Sequence, residues 1–152
     1  MTRTRHVLLA TAALAAFQLS LTAHGADGKQ IETTTLDAIV AANPLPAGGP
    51  TAKVISTARA GNSELQVIRI SKIRLHHHVQ EDHVVYVARG NGTARIENAS
   101  GQIDSRPVRP GDVFNLPRGK KHAFERTGDE DLVLLVVATA GWKPLEDTVF
   151  HE

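Results

Sequence analysis

The chain has 152 residues, 41% of them hydrophobic and 22% charged, and it contains no cysteine. That length favours a single domain large enough to bury its own core. The missing cysteines exclude disulfides and thiolate metal sites, so any metal must be held by nitrogen or oxygen. Seventeen basic residues against sixteen acidic ones give no electrostatic case for nucleic acid or an anionic membrane as partner.

Residues 1–25 have the pattern of a signal peptide. Arg3 and Arg5 precede an apolar run from Val7 to Leu21, interrupted mainly by Gln18 and Ser20, and Ala23-His24-Gly25 supplies small residues at the cleavage positions. The run is shorter than the roughly 20 residues a bilayer-spanning helix needs. An exported protein, periplasmic or secreted and free of the membrane after cleavage, is the expectation. Cleavage removes two basic residues and no acid, leaving 15 basic against 16 acidic and a net charge of −1.

Residues 26–50 read as an extension and linker. Leu36, Ile39 and Val40 lie at helical spacing, which predicts a short helix over Thr35 to Ala42 ended by Asn43-Pro44. Pro44 to Pro50 is a Pro/Gly-rich connector. Beyond Thr51, short β-branched runs alternate with turn residues. Strands are expected over 52–58, 64–75, 83–88, 93–97, 103–108, 113–116, 123–126 and 132–138. The turns between them include Gly61-Asn62, Gly90-Asn91-Gly92, Pro110-Gly111-Asp112 and Gly128-Asp129. Many short strands at regular spacing predict a sandwich or barrel over residues 51–140. The apolar run 132–138 should be a central strand. Residues 141–152, with Trp142, are expected to be a tail packed over the barrel or a second subunit.

Six histidines follow the leader, and four of them lie between residues 76 and 83. In an extended segment residues two apart share a face, so His76 and His78 can aim at one point while His77 points away. His83 begins the next strand, and His122 follows the turn Pro117-Arg118-Gly119-Lys120-Lys121. Neutral imidazoles converging on one ion suit Zn, Cu, Fe or Ni. His151 reads as a solvated tail residue. Arg74 could enter the same cavity as a carboxylate clamp or form a surface ion pair, and Phe114 and Phe124 are candidates for cavity wall or core.

At these residues the chain resembles the cupins. That family's second motif, G-x5-P-x-G-x2-H-x3-N, is matched by Gly111, Pro117, Gly119 and His122; its first is matched by His76, His78, position 83 and Gly90. The interval between the motifs, about residues 91–110, also fits. Three positions depart from the pattern: the opening Gly falls on Ile70, the metal-binding Glu on His83, and the final Asn on Arg126. The resemblance implies an all-β jelly-roll barrel, the double-stranded β-helix of the cupins, with a short N-terminal helix. It also implies one divalent transition metal on His76, His78, His83 and His122. Asp82, in another register, and Glu81 are alternative fourth ligands, as is water.

A neutral ligand set leaves the ion with its full charge and favours chelating or anionic substrates. The family resemblance then implies a dioxygenase-type oxidoreductase acting on a small chelating molecule, with iron or manganese favoured and nickel, copper or zinc compatible. A non-catalytic binder of metal or small ligand, and a metal-dependent isomerase or lyase, are the alternatives. No catalytic side chain stands out from the sequence, Glu81 and Asp82 being weak candidates at the rim. A homodimer is the family's default.

Overall fold

The computed structural model describes residues 34–139 and 147–152, together with two short paired strands, β1 (Ala23–His24) and β2 (Gln30–Ile31). The leader up to residue 22 lies outside the described residues, as do residues 141–146 of the expected tail, Trp142 among them. Residues 1–33 form a unit of their own.

The second unit begins with α1 (Leu36–Ala42), where the sequence predicts it. The Thr35 hydroxyl accepts a hydrogen bond from the Ala38 amide and caps the helix. Arg69 anchors the other end, donating from one terminal nitrogen to the carbonyls of Val40 and Asn43 and pairing through Nε with Asp131 at 2.8 Å.

Ten strands follow: β3 (Ala52–Ala60), β4 (Ser63–Ile70), β5 (Lys72–His78), β6 (His83–Arg89), β7 (Gly92–Glu97), β8 (Ile103–Val108), β9 (Val113–Leu116), β10 (His122–Arg126), β11 (Leu132–Thr139) and β12 (Thr148–Phe150). They make two five-stranded antiparallel sheets, ordered β12-β5-β10-β7-β8 and β3-β4-β11-β6-β9. This is the jelly-roll expected from the sequence, and β11 is central as predicted.

Two expectations need correction. The run 64–75 is two strands in different sheets. The amides of Ser71 and Lys72 both donate to the Thr51 carbonyl, at 2.7 and 3.0 Å, which turns the chain from one sheet to the other. The expected tail also contributes structure: β12 pairs with β5 in the register Thr148 to His78, Val149 to His77 and Phe150 to His76.

Alternation along the strands fills the space between the sheets. Val85 and Val87 on β6, Leu132, Leu134 and Val136 on β11, and Phe114 and Leu116 on β9 meet Ala94, Val108 and Phe124 from the opposite sheet. Phe114 and Phe124 pack edge to face at 5.5 Å. On β6, His83, Val85 and Val87 point inward, whereas Val84 and Tyr86 are exposed.

Gly90 and Gly92 are fixed by space. Gly90 has φ +73°, and a side chain there would meet the Asp131 carbonyl; one at Gly92 would meet the Glu125 carbonyl and the Leu132 side chain. The other departures from the family pattern are accommodated structurally. Ile70 joins the core, and Arg126 braces the β10–β11 turn through the Asp129 carbonyl and the Asp131 carboxylate.

Candidate metal centre

Three strands bring the histidines to one end of the sandwich. β5 ends at His78, a four-residue connection crosses to the other sheet, and β6 begins at His83. β10 starts at His122, which lies directly opposite His76 in the β5–β10 ladder. The turn before His122 is tied to the first motif, since the Gly119 amide donates to the His78 carbonyl at 2.7 Å. Gly119 has φ +77°, a conformation glycine adopts without strain.

All four rings are buried, each no more than 5% exposed. The potential ligand atoms of His76, His78 and His122 lie within 4.8 Å of one another. Their Nδ1 atoms are already engaged. His76 Nδ1 is 2.8 Å from the Arg74 carbonyl, and His122 Nδ1 is 2.8 Å from the Lys120 carbonyl. A carbonyl only accepts, so each Nδ1 carries the proton and each Nε2 is left with its lone pair. His78 Nδ1 faces the Thr148 hydroxyl and the Asp147 carboxylate, both at 3.4 Å. Orienting a ligand imidazole through its other nitrogen is the usual support of a metal site.

Burial keeps these imidazoles neutral. It lowers the pKa of His76, and together with repulsion from neighbouring histidines lowers those of His78 and His122 to about 3. A neutral imidazole is the form that binds a metal. The donor set therefore fits a divalent transition metal.

His83 stands outside the set of three. Its ring centroid is 4.2 Å from that of His78, but its Nε2 is 3.2 Å from Glu81 Oε2. Burial and the histidines around it lower its pKa to about 4. The nitrogen it would offer an ion is thus the one that Glu81 holds.

Glu81 is buried, not at the rim. Its Oε1 has no hydrogen-bond partner, and burial, reinforced by Asp147 and Glu64, raises its pKa to about 7. Asp82 is removed from the ligand candidates. Its carboxylate accepts from the Arg118 amide and guanidinium, which hold its pKa below the usual carboxylate range. The Arg74 guanidinium lies 4.6 Å over the Phe150 ring, does not line the cavity, and has no ion pair among the described residues. His77 points away from the centre as expected, but His151 is not a free tail residue: the two rings stack, with Nδ1 of His77 2.8 Å from Nε2 of His151.

The histidines line one part of a cavity of about 370 Å³. Its other walls are largely apolar, including Val54, Ile68, Ile73, Phe124, Val136 and Phe150. Among the described residues its polar lining besides the histidines is Lys53, Gln66 and Thr148. Asp147, Thr148, Phe150 and Gln66 are site residues the sequence reading missed. Gln66 did leave a signal: with Glu64, Ile68 and Ile70 it occupies alternate positions of one strand, so a polar side chain falls in an inward series.

A jelly-roll with converging buried imidazoles at one end defines a small metal-binding barrel protein with room for a small-molecule ligand. The Cupin domain family profile matches residues 69–138, and with the jelly-roll fold it identifies that segment as a cupin domain. Solved structures share the fold. Lactobacillus farciminis oxalate decarboxylase in its formate complex is 20% identical with a TM-score of 0.50, over 59% of this chain and 26% of that one. Bacillus subtilis oxalate decarboxylase is 23% identical with a TM-score of 0.51, over 59% and 24%. CapF with the inhibitor 3-isopropenyl-tropolone is 23% identical with a TM-score of 0.51, over 60% and 28%. The chain spans about a quarter of the length of these proteins. No match was found among curated proteins.

Proposed function

We propose that this cupin is a metal-dependent oxidoreductase of the dioxygenase type, acting on a small, mostly apolar molecule with a chelating head. The observation that carries the reading is a set of neutral, pre-oriented imidazoles at one end of an otherwise apolar cavity. His76, His78 and His122 would hold the ion, and His83 would add a fourth nitrogen if Glu81 releases it. A bound iron or manganese ion would supply Lewis acidity and a route for electrons between substrate and O₂. The protein's part is to orient the head group against the histidines and to exclude water with the apolar walls. Lys53, exposed, is the one cationic side chain other than histidine among the described cavity-lining residues, which argues against a compact dianion as substrate.

One observation favours a second reading, an isomerase or lyase. Glu81 is a buried carboxyl with a free oxygen, next to His83, and its pKa near 7 suits proton transfer. Oxygen uptake separates the two. Iron- or manganese-loaded protein should consume O₂ with a panel of catechols and β-diketones, and zinc-loaded protein should not. Turnover that persists without oxygen and with zinc would select the second reading.

Export and self-association belong to the same proposal. The leader pattern supports export. Leu65, Val84, Tyr86, Val113 and Val137, exposed on neighbouring strands of one sheet face, support a homodimer. The expected result is a processed chain beginning at Ala26 that sediments at twice its own mass; an intact leader or a monomer would refute the corresponding part.

A further inference from the structure

We infer that Gln66 reads the far end of the cavity ligand by accepting a hydrogen bond from it, so that the ligand carries a hydroxyl or N–H donor on its apolar body, away from its chelating head. The head group rests on the function proposed above; the Gln66 contact does not.

Gln66 is fully buried, lies on the inward series of β4 and lines the cavity. Its amide has a fixed orientation. Nε2 donates to Glu64 Oε1 at 3.1 Å, and the other oxygen of that carboxylate is held by Arg59. A carboxylate paired with a guanidinium is an acceptor, so the nitrogen must face Glu64 and the carbonyl oxygen must face elsewhere. That oxygen, Oε1, has no partner. A buried acceptor left unpaired is penalised until a donor reaches it. The apolar side chains nearby, such as Val54, Ile68 and Val136, have none to give.

The sheet register sets the reach. Gln66 pairs with Val136 of β11, and Val136 pairs with Val85 of β6, the next inward residue after His83. Gln66 is therefore two strand spacings, roughly 10 Å, from the strand that carries His83. A molecule with one ring and a short substituent spans that distance and fits about 370 Å³. A single-ring chelator bearing a hydroxyl or amino substituent is the ligand class these walls describe.

The test uses the full-length protein and two matched probe pairs. In metal-free protein, benzyl alcohol and benzyl methyl ether differ in the donor; in zinc-loaded protein, 4-(hydroxymethyl)catechol and 4-methylcatechol do so. Affinities are read by NMR titration and calorimetry. The donor-bearing member of each pair should bind about tenfold tighter, the ratio one neutral hydrogen bond supplies. In Gln66→Met, which keeps the length of the side chain, the preference should fall within about twofold. The wild-type comparison stands alone if that variant does not fold. Equal binding of benzyl alcohol and its ether by wild type, a preference unchanged in Gln66→Met, or failure of both probes to bind would overturn the inference. A donor preference in metal-free protein, with neither catechol engaging the zinc, would leave the Gln66 assignment standing and remove the chelating-head reading. Catechol binding without any donor preference would do the reverse.

Discussion

Replacing His122 with alanine is expected to weaken divalent-metal affinity by more than about 100-fold, beyond the 10–100-fold typical when only a supporting partner of a metal ligand is lost. His122 is one of the three converging rings. Its centroid lies 4.3 Å from that of His76 and 5.4 Å from that of His78, and its Nδ1 is committed to the Lys120 carbonyl, so its Nε2 is free for the ion. The variant should still fold, because the apolar core of the sandwich does not include His122. His122→Asn, which leaves a smaller cavity, guards against a packing artefact. His83→Ala should cost much less, about tenfold or under, since His83 Nε2 is engaged with Glu81 rather than free. Calorimetric titration with manganese and zinc, with circular dichroism to check folding, measures all three. Unchanged metal content in His122→Ala, or a larger loss in His83→Ala than in His122→Ala, would show that the centre is organised around different residues.

Much of this centre was legible before any coordinates. The His76-x-His78 alternation fixes two rings on one face, and the spacing Gly111, Pro117, Gly119, His122 sets the second arm; the Gly119 amide bond to the His78 carbonyl shows why that spacing matters. Turn glycines such as Gly90 marked the strand ends because no side chain fits there. What stayed hidden depends on contacts far apart in sequence. β12 has three residues and no alternation long enough to register; its place beside His76 and His78 is set by the edge of β5. Glu81 looked like a rim residue because charged residues are usually exposed, yet the crossover between sheets buries it against His83. The break at Ser71 carries no glycine or proline, and the Thr51 carbonyl that makes it lies 20 residues earlier.

Acidification should unfold the metal-free protein well before it unfolds an ordinary β-sandwich. His78, His83 and His122 have folded-state pKa values of about 3, 4 and 3, and His76 is also lowered, whereas an unfolded histidine titrates near 6.5. Between these values the unfolded chain binds protons that the folded one refuses. Stability is therefore fully present above about pH 6.5 and is lost as pH falls, by about 1.4 kcal/mol per pH unit for each histidine. Glu81 works in the opposite sense. Its folded pKa near 7 lies above the ordinary value of 4.5, so it takes up a proton first in the folded state and favours folding as pH falls from 7 towards 4.5. One carboxyl cannot offset four imidazoles below pH 6. The expected net loss from pH 7 to pH 5 is a few kcal/mol, a large share of the stability of a domain this size. Melting curves at pH 7, 6 and 5 in the presence of a chelator measure it. A bound ion keeps the imidazoles unprotonated and adds its own binding free energy, so saturating zinc should raise the melting temperature at pH 7 and should be released as the pH approaches 5. A melting temperature that is flat or rises from pH 7 to pH 5 in metal-free protein would mean that the histidines are already protonated in the fold, and imidazoles held in that state could not form the metal centre.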